Sequence, residues 1–274
     1  SKIALVTGAA SGIGRDVCYR FLEEDCVVIA TDINVEALEA LKKEAPLKGL
    51  NLHVLSCDIA KERELETLVL AAIKAYGHID ILVNNAGVMD NFEAVADVTN
   101  SQWDRIMNIN LKGPFMLMRL LIPHFLHHKH GNIINISSIG GLQGARAGAA
   151  YTASKFAMNG LTKNTGYMYA EHGIRCNAIA PGAIETHIAD DIDYSKVSKE
   201  MSELLSLGLQ LNPRVGKPKE IANLDRVFFM AGEAVYLDGM GNPYESDNQP
   251  RATREQELFL EQEKQRMIDG ILGS

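Results

Sequence analysis

The chain reads as a single α/β domain on a doubly wound parallel sheet of Rossmann type, and three observations carry that reading. Short apolar runs alternate with amphipathic stretches along most of the 274 residues. That order produces parallel strands joined by right-handed helical crossovers. The first run, Lys2-Ile3-Ala4-Leu5-Val6, passes directly into Thr7-Gly8-Ala9-Ala10-Ser11-Gly12-Ile13-Gly14 and then into an amphipathic stretch. Later runs such as Ile133-Ile134-Asn135-Ile136 are too apolar for a sheet with one wet face, as expected when helices cover both sides.

Strands are expected at 2–6, 26–31, 51–57, 79–83, 132–137 and 174–180, and helices at 12–24, 35–44, 61–76, 100–127, 151–172 and 218–231. In the opening unit Gly8 permits a tight turn, Gly12 lets backbone approach a pyrophosphate, and Gly14 lets the helix pack closely on the strand. Phosphates would sit at the helix N-terminus, where free N–H groups and the macrodipole favour an anion. The second run, Cys26-Val27-Val28-Ile29-Ala30-Thr31, ends at Asp32. Dinucleotide folds place an acid on the adenosine ribose near this point. A carboxylate there accepts both ribose hydroxyls and repels a 2′-phosphate; Ser11, before Gly12, supplies no cation to neutralise one. Both residues point to NAD(H) over NADP(H), although Asp32 could equally cap the next helix. Between 61 and 76 the helical period is plain, with Leu65, Leu68, Val69, Ala72, Ile73 and Tyr76 on one face.

The pattern Tyr151-Thr152-Ala153-Ser154-Lys155 puts a phenol and an ammonium on one helix face. A free tyrosine has a pKa of roughly 10, and a nearby cation is expected to pull it toward neutral pH. A tyrosine that exchanges a proton beside a serine hydroxyl suits alcohol/carbonyl chemistry. The same spacing also occurs as an ordinary surface pair, so the surrounding motifs decide.

Taken together, Thr7-Gly8-x-x-x-Gly12-x-Gly14, Asn84-Asn85-Ala86-Gly87, Asn110, Ser138, Tyr151-x-x-x-Lys155 and Pro181-Gly182 resemble the short-chain dehydrogenase/reductase family, in order and spacing, from residue 2 to about 237. The resemblance implies a catalytic set of Asn110, Ser138, Tyr151 and Lys155. Tyr151 is then the acid/base and Lys155 a lysine that also binds the nicotinamide ribose. Ser138, in preference to Ser137, holds the substrate oxygen. Asn110 would hold a water linking the lysine to solvent, or else be a helix amide bonded locally. The resemblance extends cofactor contacts from Gly8, Ser11, Gly12, Ile13, Gly14 and Asp32 to several later positions. Asp58 and Ile59 fall at the adenine, Asn84, Ala86 and Gly87 along the ribose and sheet. Pro181, Gly182, Ile184 and Thr186 fall at the nicotinamide. A substrate lid is implied at 187–212, with Gln143, Arg146, Met89 and Phe92 on the facing wall. Those residues fit a medium-sized, partly apolar ketone or alcohol, or simply pack the lid on the body.

Net charge is −8, from 27 Lys and Arg against 35 Asp and Glu, which disfavours nucleic acid and anionic membranes as partners. No apolar stretch approaches the roughly 20 residues a membrane span needs, and no signal peptide is visible, so a cytoplasmic protein is expected. Cys18, Cys26, Cys57 and Cys176 are read as reduced buried thiols. His124 and His128 could share a metal ion at i, i+4, but nothing near them in sequence completes a site, so no metal is expected.

The C-terminus departs from the family pattern. Ile221–Asn223 and Ala234–Gly239 are read together as the usual final helix and turn, with the last strand missing, and the dehydrogenase domain is set at 1–239. Residues 240–250 read as a polar loop, and Arg254 to about Asp269 as a charged helix. A missing edge strand favours a homodimer through the 100–127 and 151–172 helices over a tetramer. The function expected is NAD-dependent interconversion of a secondary alcohol and a ketone. The alternatives are a 3-oxoacyl-carrier-protein reductase, which Asp32 and the acidic charge oppose, and a dinucleotide-binding scaffold without activity.

Overall fold

A computed structural model of the chain describes residues 1–45, 51–190, 192–197, 203, 204, 206 and 214–223, together with the backbone of 234–237. Strand β1 (Ile3–Thr7), helix α1 (Gly12–Glu23), β2 (Val27–Asp32), α2 (Val35–Glu44) and β3 (Leu52–Ser56) form the first half. They are followed by α3 (Glu62–Tyr76), β4 (Ile81–Asn84), α4 (Asn100–Met107), α5 (Gly113–His128) and β5 (Gly131–Ile136). The chain continues through α6 (Ala149–Tyr169), β6 (Ile174–Pro181), α7 (Pro218–Ala222) and β7 (Ala234–Leu237). All pair in parallel, in the order β3-β2-β1-β4-β5-β6-β7.

Strand alternation feeds two cores. Ala4, Val6, Val28, Ala30, Val83 and Ile134 point to one face, under Val17, Cys18 and Phe21 of α1, Leu38 and Leu41 of α2, and Ile221 of α7. Ile3, Leu5, Ile29, Leu82 and Ile133 point to the other, under Leu65, Leu68 and Val69 of α3 and Leu117, Leu121 and Phe125 of α5. Each fully buried Leu or Phe contributes roughly 1.5–3 kcal/mol, which explains strands with no polar face. The four cysteines are free and buried in these cores, as read from sequence. Helix starts follow local chemistry: Asn34 accepts from the Ala37 N–H and Thr99 from the Gln102 N–H. Strand order reverses between β1 and β4, and in such sheets ligands bind there, beyond the carboxyl ends of the strands.

Three expectations need correction. The single helix at 100–127 is two helices joined by a π turn, Asn108–Lys112. The extra residue in that turn does not disturb an apolar pattern enough to be seen. The last strand, expected to be missing, is present within the segment read as the closing turn: Ala234–Leu237 pairs with Ala178–Pro181 of β6. The run Ala-Val-Tyr-Leu was long enough for an edge strand, and with that strand present the reason for doubting a tetramer falls. The 151–172 helix ends at Tyr169 and closes in a 3₁₀ turn, Ala170–His172. The rest of the 218–231 helix, part of the lid and the tail helix after Arg254 lie outside the described residues. No helix among the described residues is long and apolar enough to cross a membrane.

Candidate active site

At the switch point the turn after β1 and the turn after β4 are stitched together. Thr7 Oγ1 accepts the N–H groups of Asn85 and Ala86 at 3.1 Å, and Asn85 Nδ2 donates to the carbonyls of Thr7 and Gly8 at 3.0 Å. Gly8 sits at φ +62°, and a Cβ there would lie 2.7 Å from Ala86 Cα; a Cβ on Gly14 would lie 2.2 Å from the Gly8 carbonyl oxygen. Gly12, at φ +53°, faces Thr186, whose methyl would be 3.1 Å from an added Cβ. Only glycine lets these backbones approach. Ser11 begins α1 without a side-chain hydrogen bond to its first turn, so its hydroxyl does not cap those N–H groups. Asp32, half-buried at the end of β2, is aimed by the N–H groups of Ala10 and Asn34 at 3.1 and 3.0 Å. This cradle opens into a cavity of about 570 Å³ that also takes in Asp58, Ile59, Gly87, Ser138, Tyr151, Lys155, Pro181, Ile184 and Thr186. Its dimensions, glycine turns and carboxylate suit a nicotinamide dinucleotide.

The reactive groups gather on α6 and the turn after β5. Tyr151 and Lys155 are both buried, with the ammonium 5.5 Å from the phenol ring centre. The Ser138 hydroxyl lies beside the phenol, where it favours the phenolate, and accepts the Gly140 N–H at 3.0 Å. Gly140 makes this possible, since a Cβ there would come within 3.3 Å of both Ser138 Oγ and Tyr151 Cε1. Ser137 instead donates to the Lys155 carbonyl at 3.4 Å. Lys155 Nζ donates to the Ile136 carbonyl at 2.9 Å.

The phenol's ionisation runs opposite to expectation. Burial pushes Tyr151 up to about 12; the Ser138 hydroxyl pulls it back and the Asp90 carboxylate adds to the rise. Burial also drops Lys155 to about 8, and its ammonium is spent on a carbonyl. Desolvation is thus the largest influence on both groups.

Asn110 lies in the π turn and bonds residues far away in sequence. Its Oδ1 accepts the Val88 N–H at 2.8 Å, and its Nδ2 donates to the Val88 carbonyl at 2.9 Å and to Ser154 Oγ at 3.3 Å. The reading of a locally bonded helix amide is thereby set aside. Gly87 lies between this amide and Lys155, with an added Cβ 3.4 Å from Asn110 Oδ1 and 3.6 Å from Lys155 Nζ. π turns of this kind recur at functional sites.

The short chain dehydrogenase family model matches residues 2–196. The chain belongs to the short-chain dehydrogenases. This dehydrogenase is 40% identical over 250 residues to 3beta-hydroxysteroid dehydrogenase 2 of Eggerthella lenta, covering 89% of this chain and 95% of that one. Its structure is similar to 3-ketoacyl-(acyl-carrier-protein) reductase from Brucella melitensis complexed with NADH, with TM-score 0.75, 28% identity, and 87% and 97% of the two chains covered. It is equally similar to ElxO with NADP bound, with TM-score 0.74, 28% identity, and coverage of 87% and 97%. The protein is thus an oxidoreductase of a family that binds nicotinamide dinucleotides.

In this dehydrogenase most residues singled out from sequence line the cavity: Gly8, Ser11, Gly12, Ile13, Asp32, Asp58, Ile59, Ala86, Gly87, Ser138, Tyr151, Lys155, Pro181, Gly182, Ile184 and Thr186. Gly14 and Asn110 stand behind it, as packing and support. Asn84 is misplaced in the sequence reading: its side chain turns into the sheet, donating to Asn135 Oδ1 at 2.8 Å, and its neighbour Asn85 faces the cavity. One step along a strand end reverses the side-chain direction. Gln143 likewise falls off the wall; its amide oxygen accepts from Arg146 Nε at 2.9 Å, and Arg146 is the lining residue. Met89 and Phe92 line the cavity. Of the segment 187–212, His187, Ile188 and Ala189 reach the cavity; 191, 198–202, 205 and 207–212 lie outside the described residues. His124 is not poised for a metal, because its Nε2 accepts the Ile79 N–H at 3.1 Å. Asp90, Gly140 and Gly141 escaped sequence reasoning. Ser138-Ile139-Gly140-Gly141 was the available signal, as adjacent glycines after a strand mark close backbone approach.

Proposed function

We propose that this dehydrogenase interconverts a secondary alcohol and a ketone with NAD(H). The observation that carries the reading is the meeting, in one cavity, of Ser138, Tyr151 and Lys155 with a glycine cradle that ends at Asp32. A bound nicotinamide dinucleotide would supply the hydride chemistry. Gly8, Gly12 and the first turn of α1 would hold its phosphates, and Asp32 its adenosine ribose. Asp58 and Ile59 would hold the adenine, with Lys155, Ile184 and Thr186 at the other end. Ile33, exposed and cavity-lining, brings no cation for a 2′-phosphate, which supports NAD(H).

Ser138 would hold the substrate oxygen against Tyr151. With its phenol protonated at neutral pH, Tyr151 gives a proton to the carbonyl oxygen on reduction and recovers one on oxidation. Lys155 stabilises the phenolate during that exchange, and Asn110 steadies Gly87 beside it. Apolar walls from Val88, Met89, Phe92, Ile139 and Ile188 favour a partly apolar ketone. Trp103, Phe115, Phe156 and Tyr167 are exposed on α4, α5 and α6 and support self-association through those helices, as a homodimer or tetramer in the cytoplasm. NADH oxidation with free ketones tests the reading; turnover confined to NADPH and acyl thioesters would favour an oxoacyl reductase instead.

A further inference from the structure

We propose that Asp90 is a positioning residue of this site: its carboxylate, carried on the loop after β4, fixes the main chain of Tyr151 and so keeps the tyrosine in register with Ser138 and Lys155. The inference rests on the reading of Tyr151 as the proton donor.

Asp90 is fully buried, and both of its oxygens are used. Oδ1 accepts the N–H groups of Phe92 and Gly148 at 3.1 Å, and Oδ2 accepts the Tyr151 N–H at 2.8 Å. Gly148 is the N-cap of α6 and Tyr151 its third residue. A helix normally satisfies the N3 N–H, here that of Tyr151, with its N-cap side chain, and the N-cap N–H, here that of Gly148, with a side chain at N3. Gly148 has none to offer, so the cap arrives from a residue 58 to 61 positions away. A Cβ on Gly148 would lie 2.7 Å from Asp90 Oδ2 and from the Glu93 N–H nitrogen, so glycine is required for the carboxylate to enter.

A local Ser or Asp would have capped α6 without burying a charge, whose desolvation costs several kcal/mol. Three charge-assisted bonds and the helix dipole offset that cost. The distant cap adds a fixed link between the β4 loop and the catalytic helix. The loop is pinned throughout. Ala149 N–H donates to the Glu93 carbonyl at 2.9 Å, and Asn91 Oδ1 accepts the Asp193 N–H of the lid segment at 2.9 Å. Phe92 is held at φ +57°, a strained conformation for a bulky residue that persists only when its surroundings over-determine it. Phe92 lines the cavity. Loop and tyrosine therefore meet at the Asp90 carboxylate, and the next residue, Asn91, ties the same loop to the lid segment.

The test is Asp90→Asn, which keeps one acceptor but turns an amide N–H₂ toward the N–H groups of the helix and removes the charge. Lys155, Arg146, His187 and Glu93, the other ionisable groups on this cavity end or loop, are left unchanged. The expected result is a fall in kcat of at least about tenfold, since small misplacements of reacting groups are costly, with the NADH dissociation constant within about twofold of wild type. The Tyr151 Cζ resonance of ¹³C-tyrosine-labelled protein, assigned with Tyr151→Phe, should begin to titrate at lower pH in Asp90→Asn. Unchanged kcat with an unchanged resonance overturns the inference. So does a parallel loss of kcat, NADH binding and thermal stability, which marks a purely structural cap. Should Asp90→Asn fail to fold, Gly148→Ala crowds the same contact with Asp90 in place, and wild-type kcat there overturns it equally. If the wild-type protein turns over no carbonyl, the proton-donor reading fails, while the resonance still decides whether Asp90 governs Tyr151.

Discussion

At the phenol of Tyr151, burial outweighs the pull of the Ser138 hydroxyl and holds the group up to about 12, so it stands ready as an acid at neutral pH. Tyr151→Phe should lower kcat by roughly 10²–10⁴-fold, the range for a general acid, with NADH affinity retained in fluorescence titration. Lys155 makes a different prediction. Its pKa is lowered from 10.5 to about 8 by burial, so between those values the unfolded chain holds a proton that the folded one does not. The Lys155 contribution to stability should therefore rise with pH from about 8 to 10.5, and denaturant melts of Lys155→Met compared with wild type should lack that increment. Tyr151, Lys155 and Ser138 were legible from spacing and resemblance. The direction of the tyrosine shift was not, because a sequence shows the neighbouring cation but not the depth of the cavity. Asn84 and Gln143 failed for a related reason: the motif marks the segment, whereas the side chain that faces the ligand depends on strand-end geometry.

The elements that frame the site depend on close approach. Gly8→Ala forces a Cβ to 2.7 Å from Ala86 Cα at a positive φ, a conformation costing about 1–3 kcal/mol by itself. Calorimetry should show a lower Tm, and NADH binding should weaken with it. Asn85→Ala removes two of the four hydrogen bonds that join the two turns, those from Asn85 Nδ2, and should reduce NADH affinity more than it reduces kcat. The glycine turn could be read directly, since strand and helix signals flank it on both sides. The π turn could not, because its signature is one residue of register within an apolar run. Asp90 was invisible for the same reason that makes it interesting: its partners lie about 60 residues further on.

Across the whole molecule, the alternation of strands and helices set the topology, and seven parallel strands follow it. The last of them was missed because Ala234–Leu237 is brief and follows no clear turn. The end of the sheet remote from the cavity carries its own pH response. His124 is lowered below 6.5 by burial and by His128, His78 and His127, while its Nε2 accepts a backbone N–H. Its folded value lies below its unfolded one, so stability is intact above about 6.5 and is lost as pH falls through that value. His124→Gln should flatten the fall in Tm between neutral and mildly acidic pH.

The most direct test of the account is NADH and NADPH oxidation by the wild-type protein and Tyr151→Phe, across free ketones, diketones and acyl thioesters. The account predicts NADH-linked turnover of free ketones that collapses in Tyr151→Phe. Turnover only with NADPH and acyl thioesters, or an undiminished rate in the variant, would contradict it.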